Sequence, residues 1–163
     1  QNENDLGGTE YLKVIHKLTT GRPPRLNLDT ETLLQKALLD AIRHGLIASA
    51  HDIADGGFAI ALAECCIGNH DSQFGATVTV DGHPDMRTDA LLFGETQSRI
   101  IVSVTPDEHG RFEQKMRDHN QYFQRIGVVG GDRLTINTLI DLPLADVSAA
   151  FYNSLAALAE RIS

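Results

Sequence analysis

Two polar islands carry the residue types that bind phosphates, sugars and cations. The denser is Ser49-Ala50-His51-Asp52-Ile53-Ala54-Asp55-Gly56-Gly57-Phe58. A short apolar run precedes it and an Ala-rich run follows, so the island lies between a strand and a helix. Glycines there permit tight turning and close approach of backbone to a ligand. A helix N-terminus adds free N–H groups and a positive dipole end. Asp52 and Asp55 repel a bare phosphate, but these carboxylates can hold Mg²⁺ that bridges to one. The same residues also fit a purely structural account. Asp55 caps the helix, Gly56-Gly57 makes the turn, and His51 is a satisfied imidazole.

The second island is Leu91-Leu92-Phe93-Gly94-Glu95-Thr96-Gln97-Ser98-Arg99, just before a strand. Glu95 suits a cation or a sugar hydroxyl. Gln97 and Ser98 offer donors, and Arg99 suits a phosphate or Glu95. The structural alternative is an Arg99–carboxylate bridge bracing the strand entry. Other candidates are weaker. Gly127 to Gly131 lacks the Lys and Ser/Thr of a P-loop and reads as a turn. The histidines are scattered without zinc-ligand spacing. No nucleophile elbow appears.

The chain has 163 residues, 42% hydrophobic and 22% charged, which suits one globular domain. A net charge of -8 argues against a nucleic-acid surface. No apolar run is long enough for a membrane helix, and no signal peptide opens the chain. Cys65 and Cys66 are adjacent and close no useful loop, so they read as buried thiols in a cytoplasmic protein. The chain opens on Gln1 rather than Met, which reads as a processed chain or an excised piece.

The elements that position the islands follow from periodicity. Thr9 caps a helix with Tyr11, Val14, Ile15 and Leu18 on one face. After a linker-like Thr20–Leu28, Asp29 caps a second helix whose stripe is Leu33, Leu34, Ala37, Leu38, Ala41 and Ile42, stopped at Gly45. Leu46–His51 reads as a buried strand, Phe58–Ile67 as a helix, and Ala76–Asp81 as a strand. Thr88–Phe93 is one helical turn or an irregular crossing, and Arg99–Val104 is a strand. Thr105-Pro106-Asp107-Glu108 forms a capping box for a helix to about His119. Phe123–Val129 and Arg133–Asn137 form a hairpin around Gly130-Gly131-Asp132. A last helix begins near Pro143 with an apolar stripe of Leu144, Val147, Phe151, Leu155, Leu158 and Ile162, and is expected to pack on the sheet through Val147, Phe151, Leu155 and Leu158. The fold class is α/β in the α+β sense, a mixed sheet packed with helices.

Three stretches, in order and spacing, resemble the phosphoribosylformylglycinamidine synthase family. They are Leu6 to Leu12, Ser49 to Glu64, and Leu92 to Arg99, with Ile126 to Gly131 fitting as well. The resemblance covers nearly the whole chain. It is nearest to the last domain of the synthetase subunit, of the aminoimidazole ribonucleotide synthase C-terminal-domain class. It implies that residues 1–163 are one C-terminal domain of a larger synthetase. That enzyme converts formylglycinamide ribonucleotide, ATP and glutamine-derived ammonia to formylglycinamidine ribonucleotide. A glutaminase supplies the ammonia, and Mg²⁺ holds the nucleotide phosphates. The resemblance places the catalytic histidine and main ATP-binding residues in barrel domains upstream. Glu95, Thr96 and Gln97 look like second-repeat counterparts of a substrate-binding Glu-Ser-Gln, with Thr replacing Ser. Asp52 looks like the counterpart of a metal-binding Asp.

The expected auxiliary site for a nucleotide or substrate therefore comprises His51, Asp55, Gly56, Gly57, Glu95, Thr96, Gln97 and Arg99, with Asp52 as metal ligand. No catalytic residue and no tightly bound cofactor are expected in this chain. The partners are the upstream domains and the glutaminase, with no nucleic acid and no membrane. Two alternatives stand beside this. One is a docking or structural domain without a ligand. The other is a domain of another ATP-using member of the fold class, such as a selenophosphate synthetase, a thiamine-phosphate kinase or a hydrogenase maturation protein.

Overall fold

The computed structural model of the chain describes residues 6–82 and 85–154. It divides into two compact units. The first holds residues 1–61 and 82–125, and the second holds residues 62–81 and 126–163.

The first unit contains α1 (Glu10–His16), α2 (Leu28–Arg43), β1 (Ser49–Asp52), the start of α3 (Gly57–Ile67), α4 (Thr88–Phe93), β3 (Ile100–Ser103) and α5 (His109–Asp118). Strands β1 and β3 form a two-stranded antiparallel ribbon, Ser49 opposite Ser103 and Asp52 opposite Ile100. The core joins α2 to α5 through Ala37, Ala41, Leu46, Phe112 and Met116. Both helices end in the same device. Gly45 is left-handed at φ +68, its N–H bonds to the Ile42 carbonyl, and the Leu46 N–H bonds to Ala41. After α5, left-handed Asn120 bonds Arg117 while Gln121 bonds Met116. These are Schellman closures, and the first drives Leu46 into the core beside Ala41. Asp40 on α2 adds a polar tie. It accepts from His119 at 2.8 Å and from Lys115 at 3.1 Å. Those two bonds, His119 first, hold its carboxyl down at about 2.

The second unit holds the end of α3, a four-stranded sheet and α6 (Leu144–Tyr152). The strands are β2 (Ala76–Val78), β4 (Gly127–Val129), β5 (Arg133–Ile136) and β6 (Ile140–Pro143), in the order β4-β2-β5-β6. β2 pairs parallel to β5, and the remaining pairs are antiparallel. Ala76, Val78, Leu134, Ile136 and Leu144 are buried. The Tyr152 hydroxyl donates to the Ile67 carbonyl at 2.7 Å and ties α6 to the end of α3.

Several expectations change. Residues 127–129 and 133–136 do not form a hairpin, because β2 lies between them. Gly130 donates to Gly75 and Gly75 to Gly131, so the Gly-Gly turn arches over the entry of β2. The hairpin is instead β5–β6, turned at left-handed Asn137, whose amide makes two bonds to Val80. The second helix starts two residues early, because the extended Asn27 rather than Asp29 accepts from the Thr30 N–H. Thr105 makes no side-chain cap. Pro106–Glu108 is a 3₁₀ turn, and the Glu108 carboxylate accepts from Arg111 instead.

The strand expected at 46–51 is displaced to 49–52 and is largely exposed, as a two-stranded ribbon covers little of its own surface. On α2 only Ala37 and Ala41 of the expected stripe are buried. Val14, Ile15 and Leu18 around α1 are half exposed or more. Of the two thiols only Cys66 is buried, and burial pushes it up to about 11, while Cys65 is exposed. On α6, Phe151 is 53% exposed, contrary to its expected burial, and Leu155, Leu158 and Ile162 lie outside the described residues.

The two phenylalanines therefore separate. Phe112→Ala should cost about 3–5 kcal/mol as a buried aromatic truncation, and Phe151→Ala less than about 1 kcal/mol. Urea midpoints of the two variants check this. Equal losses would show that one of the two faces is misassigned.

Candidate functional site

In the first unit, the end of β1 and the entry of β3 are neighbours by pairing. The Ile53 N–H donates to the Arg99 carbonyl at 2.9 Å, one step beyond the Asp52–Ile100 pair. The chain then turns through Gly56 (φ +80) and Gly57 (φ +73) into α3. A Cβ on Gly57 would stand 2.6 Å from the Phe93 carbonyl carbon and 2.9 Å from the Gly94 oxygen. The two islands thus touch backbone to backbone, where only glycine fits.

Glu95 completes the junction. Its Oε1 accepts from the Gly56 N–H at 2.8 Å and from the Glu10 N–H at 2.9 Å. The second bond brings in the third stretch, residues 6–12. There Thr9, 1% exposed, caps α1 as expected. Its hydroxyl donates to the Leu6 carbonyl at 2.6 Å and accepts from the Leu12 N–H. Tyr11 stacks flat on Phe93, centroids 4.8 Å apart.

The remaining site residues divide by exposure. Thr96 is buried. Arg99 turns inward and donates to the carbonyls of Gly94 and Thr96. Burial lowers its pKa. Among the described residues it bridges to no carboxylate, so neither the Arg99–Glu95 pair nor any other Arg99–carboxylate brace forms. His51 is half-buried, its Nδ1 4.0 Å from Asp52, whose side chain is 74% exposed. Asp55 and Gln97 are exposed. Two residues of this region lie outside the sequence-derived site. Ser98 is left-handed at φ 61, and its hydroxyl donates to Glu31 on α2 at 2.6 Å. Serine carries no strong left-handed signal, and Glu31 is 67 residues away in sequence, so periodicity could not pair them.

This chemistry is mostly that of a joint. Two N–H groups at the α3 entry are engaged, Gly56 on Glu95 and Gly57 on the Ala54 carbonyl. Among the described residues no cluster of three or more His, Cys, Asp or Glu side chains has metal-holding geometry. Asp52 is an exposed carboxylate.

A family model described as AIR synthase related protein, C-terminal domain, matches residues 2–137. The chain belongs to this family. Among curated members, the phosphoribosylformylglycinamidine synthase subunit PurL of Synechocystis sp. is 39% identical over 160 residues, spanning 94% of this chain and 20% of that protein. PurL of Prochlorococcus marinus is 40% identical over 165 residues, spanning 95% of this chain and 21% of that protein. The chain thus spans about a fifth of the length of the curated relatives it matches. The solved PurLQS of Thermotoga maritima superposes with a TM-score of 0.64 at 24% identity, over 87% of this chain and 25% of that one. A T. maritima PurL complexed with ATP superposes at 0.59, with 24% identity, over 71% of this chain and 21% of that one. These likenesses establish the C-terminal-domain fold, helices with a mixed sheet, for the chain. No helix among the described residues is long and apolar enough to cross a membrane.

Glu95→Ala leaves two N–H groups unpaired and should cost about 1–3 kcal/mol. Glu95→Gln keeps an accepting oxygen and should cost less. Urea denaturation of both variants reads the difference. Indistinguishable midpoints for Ala and Gln would remove Glu95 from the joint.

Proposed function

We propose that this chain serves as the C-terminal domain of a phosphoribosylformylglycinamidine synthase. The whole enzyme would convert formylglycinamide ribonucleotide, ATP and glutamine-derived ammonia to formylglycinamidine ribonucleotide. The observation that carries this reading is the extent of the match. Some 94% of the chain aligns at 39% identity with one fifth of a PurL subunit. ATP, Mg²⁺, the upstream domains, a glutaminase partner and a cytoplasmic setting belong to that intact enzyme. Within it, residues 1–163 act as one domain. The name PurL shared by the relatives above favours this reading over the selenophosphate, thiamine-phosphate and hydrogenase-maturation alternatives.

A second reading concerns the domain's own part, and the geometry favours it. Glu95, Thr96, Arg99, Gly56 and Gly57 are committed to internal bonds or close packing. They support a structural contribution, holding three segments in register. Asp52, Asp55 and Gln97 are exposed and His51 is half-buried. In our reading these are the groups left to meet a nucleotide or ribonucleotide at an auxiliary site.

The test is an assay of formylglycinamidine ribonucleotide formation with ATP, Mg²⁺ and ammonia. The 163-residue chain alone should show no turnover. A chimera in which it replaces the matched segment of the Synechocystis relative should restore growth of a purine auxotroph. Turnover by the chain alone, or an inactive but folded chimera, would contradict the proposal.

A further inference from the structure

The 94–99 loop is pinned at every residue that faces inward. Glu95 holds two backbone N–H groups, Arg99 holds two carbonyls, and Thr96 is buried. Gln97 alone is exposed and forms no hydrogen bond among the described residues. The residue after it, Ser98, adopts a left-handed conformation that L side chains avoid. Such outliers persist only where surrounding contacts enforce them, and they gather at ligand-facing positions. Here the enforcing contact is the 2.6 Å hydrogen bond from the Ser98 hydroxyl to Glu31 Oε2. Glu31 is itself held. Its other oxygen accepts from Gln35 at 2.7 Å, one turn along α2. The Ser98 bond, then the Gln35 bond, hold its carboxyl below the usual range, so it stays a charged acceptor.

We propose that Glu31 is a positioning residue: through Ser98 it fixes the reversed backbone that presents the Gln97 amide outward as the loop's ligand-facing group. This rests on the reading that the loop meets a ligand in the intact enzyme. An amide that both donates and accepts suits the hydroxyls and phosphate oxygens of a phosphorylated ribose. A nucleotide and a ribonucleotide substrate share that chemistry. The left-handed turn also sends the chain back so that Arg99 reaches the Gly94 and Thr96 carbonyls, and the latch thereby couples α2 to the loop's inner pins.

Two readouts test the proposal separately. The first is amide hydrogen exchange in the chain. Glu31→Ala should speed exchange at the Ile53 and Gly56 amides, which the loop holds through the Arg99 carbonyl and the Glu95 carboxylate, by about tenfold or more, as the loss of one hydrogen bond to a charged group implies, and leave Phe112 and Met116 unchanged. Glu31→Gln, which keeps an acceptor, should stay near wild type. The Glu31→Ala/Ser98→Ala double variant should be no worse than either single variant. Should Glu31→Ala fail to fold, Ser98→Ala serves in its place. The second readout is titration of the intact enzyme with ADP and, separately, with formylglycinamide ribonucleotide. Glu31→Ala and Gln97→Ala should weaken one of these by a similar factor, and Glu31→Gln should restore it. The ligand that responds identifies the source of the ribose. Unchanged exchange in Glu31→Ala overturns the latch. Faster exchange with both affinities unchanged overturns the positioning role while leaving the latch intact. A wild-type enzyme that owes no affinity to Gln97 overturns the reading of the loop as a ligand contact, and the positioning role falls with it.

Discussion

The first unit depends on one close approach, the backbone of Gly57 lying against the backbone of Phe93 and Gly94. No side chain intervenes, so the turn leaving β1 and the loop entering β3 sit at a fixed separation. Two further contacts lock that separation. Ile53 pairs with Arg99 on the ribbon side, and Glu95 takes the Gly56 N–H on the helix side. The remaining Glu95 bond, to Glu10, carries the constraint into α1, which is also stacked on Phe93 through Tyr11. One carboxylate therefore binds segments 85 and 39 residues away in sequence. Such long-range bonds close large loops, whose entropy must be offset by contacts formed together.

That constraint explains why residue types with chemical potential become architectural here. Both backbone N–H groups fall on Glu95 Oε1, so that oxygen is given to the joint. The Arg99 guanidinium gives Nε and one Nη to backbone carbonyls. The chemistry open to the region falls to the side chains that the joint leaves outside, Gln97, Asp52, Asp55 and, in part, His51. The match to the AIR synthase related C-terminal domains, residues 2–137, spans the joint and the strands β2, β4 and β5 of the second unit.

Local signals made much of this legible from sequence. Thr9 caps α1, Gly45 stops α2, and the Ala-rich run after Gly56-Gly57 is a helix, each as its residue types dictate. The two islands also lie together, as two strand-flanking loops of one antiparallel pair must. What escaped was set by tertiary contacts. Arg99 found backbone carbonyls instead of a carboxylate, because the turn at Ser98 faces it inward. The stretches 127–129 and 133–136 looked like a hairpin, because sequence proximity cannot show β2 inserting between them. Apolar spacing on α2 and α6 predicted burial, yet Leu33 and Phe151 are exposed. Periodicity identifies an apolar face and not what covers it.

The most direct test of the central claim compares two glycines with nearly equal dihedrals. Gly45 (φ +68) has open space where a Cβ would stand, and Gly57 (φ +73) has the Phe93–Gly94 backbone there. Each alanine substitution pays a similar left-handed penalty of about 1–2 kcal/mol, and only the second adds a backbone clash of about 1–3 kcal/mol or more. Urea denaturation of Gly45→Ala and Gly57→Ala should therefore show a clearly lower midpoint for Gly57→Ala. Equal midpoints would mean that the two segments are not in backbone contact, and the joint at Gly57 would be wrong.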